Sequence, residues 1–90
     1  DNALYWMGDC RYEEEKYQDA ITDFLKVVRF YPGSNKMPDV LFKVGLSYQR
    51  IGDTEKAQSV FSDLITSYPG SAFADLAKAR MEGFKRVGVR

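Results

Sequence analysis

The feature that most constrains this chain is an internal repeat. Displaced by 37 positions, Ala3 to Ser34 falls on Val40 to Ser71 without a gap. Eight of those 32 pairs are identical: Leu4/Leu41, Gly8/Gly45, Ala20/Ala57, Phe24/Phe61, Tyr31/Tyr68, Pro32/Pro69, Gly33/Gly70 and Ser34/Ser71. Chance matching at ordinary residue usage gives roughly two. Other pairs keep their character, among them Tyr5/Phe42, Met7/Val44, Val27/Leu64 and Val28/Ile65. A chain with this period folds as stacked copies of one small unit that cannot bury its apolar face alone.

The periodicity inside each copy identifies the unit as two helices. Val40, Leu41, Val44, Gly45 and Tyr48 recur at helical spacing and form one apolar stripe. Gly52 ends that helix, because glycine takes the left-handed cap conformation at little steric cost. Asp53 is placed to cap the next helix by accepting from its free N–H groups. Ala57, Val60, Phe61, Leu64 and Ile65 make the second stripe, which Tyr68-Pro69-Gly70 stops. In the first copy Leu4, Met7, Gly8 and Arg11 lead to a turn at Glu14 to Tyr17, and Ala20, Phe24, Val27 and Val28 continue to Tyr31-Pro32-Gly33. Glu15 occupies the place of Gly52, so that turn is either strained or shaped differently. Gly8 with Ala20, and Gly45 with Ala57, are expected where the paired helices approach closely, with Phe24 and Phe61 filling the space towards the neighbouring hairpin. Trp6 is expected at the core edge, and the lone Cys10 as a small buried hydrophobe.

The expected organisation is a first hairpin over 1–34, a second over 38–70, a capping helix over 71–87 and a tail over 88–90. In the cap, Ser71 is the N-cap. At a displacement of 36, Phe73, Leu76, Ala77, Met81 and Phe84 fall on Met37, Val40, Leu41, Gly45 and Tyr48, and form its buried stripe. Arg80 then replaces Val44, as suits a helix that meets water. Lys85, Arg86 and Arg90 cluster at the end, where positive charge complements the helix dipole. Helices this short are marginal in isolation, so the hairpins must stack.

Composition removes several function classes. Thirteen basic and thirteen acidic residues cancel, so the electrostatic footprint of a nucleic-acid binder is missing. No run of about 18 apolar residues is present to enter a membrane. Without histidine the commonest base and metal ligand are lacking, Cys10 has no histidine to activate it, and no glycine-rich phosphate loop occurs. The run Glu13-Glu14-Glu15 reads as a solvated face. The sequence therefore implies no catalysis, metal or cofactor. The start at Asp1 is expected of a processed or excised piece.

The spacing of Gly8, Ala20, Phe24 and Pro32, repeated as Gly45, Ala57, Phe61 and Pro69, resembles the tetratricopeptide repeat. That resemblance implies an all-α fold in which antiparallel hairpins stack as a right-handed superhelix closed by a C-terminal capping helix. A narrower likeness rests on Asn2-Ala3-Leu4-Tyr5-Trp6-Met7-Gly8-Asp9, on Tyr31-Pro32-Gly33-Ser34, and on Lys36, Pro38-Asp39, Lys43-Val44-Gly45-Leu46 and Gly52-Asp53-Thr54. These look like the C-terminal domain of the Tol-Pal-associated periplasmic family YbgF/CpoB. Glu13 to Lys16 depart from that pattern, which commonly has a small residue there. In that family the domain follows a signal peptide and a trimerising coiled coil, contacts TolA, and helps coordinate outer-membrane constriction with peptidoglycan synthesis in division. The likeness thus implies the periplasm, a TolA-like or other envelope protein as partner, and a homo-oligomer formed through the coiled coil. The Tyr-Pro-x-Ser endings are shared with the outer-membrane assembly lipoprotein family BamD, and a segment of a generic tetratricopeptide adaptor is a third reading.

In stacked hairpins the first helix of each pair lines the inner surface. On the phase of the stripes, the expected partner-binding groove consists of Asn2, Tyr5, Asp9, Tyr12 and Glu13, then Asp39, Phe42, Leu46, Gln49 and Arg50, with Asp75, Lys78 and Glu82 added by the cap. Tyr5, Tyr12, Phe42 and Leu46 stand outside the core stripe, and exposed groups of that kind mark interaction sites. The carboxylate grip of tetratricopeptide co-chaperones is not expected, because Tyr5 and Asp9 hold its places and Asp9 would repel a carboxylate.

Overall fold

A computed structural model describes residues 2–86, with side chains described to Phe84. The expected tail 88–90 and the side chains of Lys85, Arg86 and Arg90 lie outside the described residues. The described residues form five helices: α1 (Asn2–Glu13), α2 (Tyr17–Phe30), α3 (Met37–Arg50), α4 (Thr54–Ser67) and α5 (Ala72–Arg86). Each packs on the next, and α3 also touches α5. There is no strand among the described residues.

The turns repeat as faithfully as the helices. At the end of α3 the Gly52 N–H donates to the Gln49 carbonyl at 3.1 Å and the Asp53 N–H to that of Tyr48 at 2.9 Å. At the end of α1 the Glu15 N–H donates to Tyr12 at 3.0 Å and the Lys16 N–H to Arg11 at 2.8 Å. Both are Schellman closures, which satisfy the last carbonyls through one left-handed residue. Gly52 has φ +89° and Glu15 φ +64°. The open question at Glu15 is answered: the turn has the same shape, and the glutamate carries the strain. α2 and α4 end on Tyr31 and Tyr68 with backbone angles that match within a degree, φ −133° and ψ 57° or 58°. Each tyrosine N–H closes on the carbonyl four residues back at 2.9 Å, and the following proline forbids continuation. Asp53 Oδ1 accepts from the Lys56 N–H at 3.2 Å, and Ser71 Oγ from the Phe73 N–H at 3.1 Å, as N-caps do. Ser34 Oγ makes the bond equivalent to that of Ser71, from the Lys36 N–H at 3.1 Å.

Two apolar clusters form the core. The first joins Tyr5, Ala20, Phe24, Val27, Val40 and Val44; the second joins Phe42, Ala57, Phe61, Leu64, Ala77 and Phe84. The repeated glycines serve the phenylalanine rings more directly than the helix crossing. A Cβ at Gly8 would stand 2.7 Å from the Phe24 ring, and one at Gly45 2.3 Å from Phe61 Cε1. The bare helix surface is the seat of the ring.

Four expectations about the stripes need correction. Met7, Trp6 and Cys10 are exposed, because no helix among the described residues lies on that side of α1. Leu76, expected inside, is 49% exposed. In α5 the buried residues are Ala74, Ala77 and Phe84, with Met81 packed against them. These fall on Met37, Val40, Ser47 and Val44 at a displacement of 37, not 36, and that displacement also aligns Ser71 with Ser34. α5 therefore keeps the register of the first helices and caps the stack.

Candidate functional site: the face of the first helices

The first helices stand side by side. α1 is joined to α3 by the Tyr5 hydroxyl, which donates to Asp39 Oδ2 at 2.5 Å, and by an ion pair between Lys43 and Asp9. α3 is joined to α5 by the Phe42 and Phe73 rings, 5.7 Å apart. Position 5 and its equivalents thus look along the row of first helices and not out of it. Tyr5 and Phe42 are 8% and 9% exposed and belong to the core clusters. This corrects the expectation that they stand outside the core. A helix packed on two sides buries more than one stripe, and a single-stripe reading leaves the second as apparent surface.

The environment of Tyr5 is electrostatically distinct. Burial, then the hydrogen bond and charge of Asp39, then the charge of Asp9, hold its phenol well above the ordinary tyrosine range. The Lys36 and Lys43 ammonium groups lie 5.6 and 5.8 Å from its ring centroid, within cation–π range. At the C-terminal ends of α1 and α3, Tyr12 meets Tyr17 edge-on at 5.4 Å, and the Arg50 guanidinium lies 6.0 Å over the Tyr17 ring.

Of the other expected groove residues, Asn2, Glu13 and Arg50 are exposed, while Asp9, Tyr12, Asp39, Leu46 and Gln49 are half-buried. Asp75, Lys78 and Glu82 are exposed, but the corrected register assigns the positions equivalent to Asp39, Phe42 and Leu46 to Leu76, Ala79 and Gly83 instead. These three are exposed and uncharged. The shared Ser34 and Ser71 could have revealed them, since aligning these two serines, which accept equivalent hydrogen bonds, sets the register.

A second feature escaped the stripe pattern. Asp23 is buried in the first hairpin, with Arg11 Nε 2.8 Å from its Oδ2 and Arg11 Nη1 3.6 Å from Asp19. The equivalent residues of the second hairpin are Tyr48, Val60 and Lys56, where the Lys56 ammonium lies 5.7 Å over the Tyr48 ring. One slot between paired helices is filled by an ion pair in one copy and by an aromatic–cation contact in the other.

Hairpins in register, with their first helices aligned into one mixed apolar and polar face, define a helical-repeat scaffold for protein–protein interaction. The Tetratricopeptide repeat family profile matches residues 2–34 and 39–71, a spacing equal to the internal period, and the chain belongs to that family. No curated protein matches the chain.

Proposed function

We propose that the face of the first helices holds a segment of a bacterial envelope protein in the periplasm, without catalysis, and that the module serves the Tol-Pal system in division. The docking reading is carried by one observation. Half-buried Leu46 and half-exposed Leu76 stand, at the joint of α3 with α5, where the joint of α1 with α3 has Asp9 and Asp39. Apolar anchors of this kind supply binding energy when a partner removes them from water. The envelope reading is supported by the likeness of Asn2 to Asp9, the Tyr-Pro-Gly-Ser endings and Lys43 to Leu46 to the YbgF/CpoB family. From that likeness follow TolA as the partner to try first, a coordinating role between outer-membrane constriction and peptidoglycan synthesis, and oligomerisation outside the described helices.

The test is titration of the periplasmic part of TolA into the parent and into Leu76→Asp by calorimetry. The variant should bind about tenfold or more weakly, a loss of about 1.4 kcal/mol, with an unchanged thermal melt because Leu76 is open to water. Equal affinities would remove this face. A parent that does not bind TolA would remove the Tol-Pal reading and leave the face to another partner. Tyr5→Ala/Phe42→Ala is unsuitable, since emptying buried aromatic sites costs several kcal/mol of stability, about 3–5 at a fully packed position.

A further inference from the structure

The outer face of α2 departs from that of α4, although the two helices are equivalent in the repeat. Thr22, Leu25, Lys26, Arg29 and Phe30 fall at the i, i+3, i+4, i+7 and i+8 places of one helix face, and all five are exposed. Their equivalents on α4 are Ser59, Ser62, Asp63, Thr66 and Ser67, and these are exposed as well. The fold therefore does not require apolar side chains here. On α4 the face consists of hydroxyls and one carboxylate. On α2 it carries a leucine and a phenylalanine, the latter 60% exposed, with two cations and no carboxylate. Nor would a neighbouring hairpin cover these groups. Asp63 and Ser67 border a depression together with Val28 and Pro32 of the hairpin beside them, and both stay exposed.

The five side chains of α2 line a depression of about 340 Å³, within the range of about 300–1,000 Å³ typical of ligand sites. Leu25 and Phe30 give it apolar walls. The Arg29 guanidinium carbon lies 5.5 Å from the Phe30 ring centroid, so the ring holds the planar group in place. Neither Lys26 nor Arg29 forms an ion pair among the described residues. A guanidinium stacked in this way keeps its N–H edge free for two parallel bonds to a carboxylate.

We infer that this face of α2 binds an acidic protein segment in which carboxylates flank a large apolar side chain. The apolar group enters the depression against Leu25 and Phe30, and the carboxylates meet Lys26 and Arg29. Charge complementarity selects this occupant, and the hollow favours a side chain over a bilayer. Two cations are also fewer than the about four to eight with which basic clusters hold anionic lipid. The site is separate from the face of the first helices and does not depend on the partner proposed for it.

The probe is the acetylated and amidated peptide Ser-Glu-Asp-Leu-Phe-Glu-Asp-Ser, added to about 1 mM, the scale of a weak complex. It is titrated into the isotope-labelled full chain, with backbone amide shifts as the readout. Saturable shifts should centre on residues 22–30. Leu25→Ser/Lys26→Asp/Phe30→Ser, which writes α4 residues onto α2, should bind about tenfold or more weakly with an unchanged melt. Lys26→Asp alone leaves the apolar walls intact and decides the matter should the triple exchange lower the melt; it should weaken binding about threefold or more. The same peptide with lysine at every acidic place should not bind. The inference is overturned if no saturable shift arises, or if the shifts centre on α1, α3 or α5. It is overturned equally if the lysine peptide, the triple variant or Lys26→Asp matches the parent pair. Flotation of the parent but not the triple variant with phosphatidylserine vesicles, without peptide binding, would give the face to a membrane. Self-association of the parent that the triple variant loses would give it to a second copy. Either result also overturns the inference.

Discussion

Glu15 is the position where one substitution should stabilise the protein, and the molecule carries its own reference. Glu15 and Gly52 occupy equivalent Schellman closures with the same pair of hydrogen bonds, at φ +64° and +89°. A left-handed conformation costs a residue with a Cβ about 1–2 kcal/mol, whereas glycine takes it freely. Glycine has more unfolded-state freedom to lose, which returns about 0.5–1 kcal/mol of that gain. Glu15→Gly should therefore add about 0.5–1 kcal/mol, or about 2–8 °C in the thermal midpoint of a domain this size. Glu15 ends an acidic run, Glu13-Glu14-Glu15, so relief of charge repulsion must be separated from relief of strain. Glu15→Ala removes the charge and keeps the Cβ, and should stabilise far less than glycine. The converse change, Gly52→Glu, should destabilise by a similar amount. Ellipticity at 222 nm followed through heating and urea, at constant m-value, measures all three. Equal gains from alanine and glycine, or a neutral Gly52→Glu, would refute the backbone argument.

Three further outcomes follow from packing and charge. Gly45→Ala puts a methyl 2.3 Å from Phe61 Cε1 and should cost about 1–3 kcal/mol by overpacking, with Phe61→Leu restoring part of it in urea melts. Arg11→Met leaves the buried Asp23 carboxylate unpaired and should cost about 1–3 kcal/mol, whereas Arg11→Tyr/Asp23→Val, which installs the residues of the second hairpin, should be neutral or stabilising because apolar replacements often match a buried ion pair. The Tyr5 phenol is held above its usual value of 10, so the unfolded chain loses this proton first as pH rises. Its contribution is whole below about pH 10 and should fall by about 1.4 kcal/mol per pH unit above it; a Tyr5→Phe variant with the same alkaline slope as the parent would show that the Asp39 contact does not protect the phenol.

What could be read from the sequence follows from which features are local. The period of 37, the helix-stopping tyrosine–proline pairs, the caps at Asp53 and Ser71 and the glycine–phenylalanine pairs depend on residues a few positions apart, or on the repeat itself, and the helices form where those signals place them. The errors arose where burial depends on what lies on the far side of a helix. Tyr5 and Phe42 are covered by the neighbouring first helix, which a one-stripe reading omits. Met7 and Cys10 have the pattern of core residues, yet only the equivalents one period later have a helix over them. In α5 hydrophobicity alone favours a displacement of 36, which sets Phe73 and Phe84 on Met37 and Tyr48, whereas the fold follows 37. A helix rotates about 100° per residue, and that difference of one residue turns Leu76 from the core to the water.

The two joints between first helices differ in chemistry, and the difference bears on what the row can hold. Between α1 and α3 the contacts are Tyr5 with Asp39 Oδ2 and Lys43 with Asp9, while the buried Asp39 Oδ1 has no hydrogen-bond partner. A ligand group competing there must replace a satisfied charge-assisted bond, for little net gain. Between α3 and α5 the contacts are aromatic, Phe42 with Phe73, and Phe61 with Phe84 behind them. Leu46 and Leu76 stand there in place of Asp9 and Asp39, so apolar atoms landing on them gain transfer free energy, about 25 cal/mol for each Å² removed from water. The row is therefore graded. The docked segment proposed above places its apolar side chains over Leu46 and Leu76, and its polar backbone or side chains towards Asn2 and Glu13 of α1. A segment with the reverse polarity would desolvate satisfied ion pairs at one end and set polar atoms on bare hydrocarbon at the other, losing at both. On the docking proposed above, this gradient would set the direction in which a partner segment lies before any particular contact selects it.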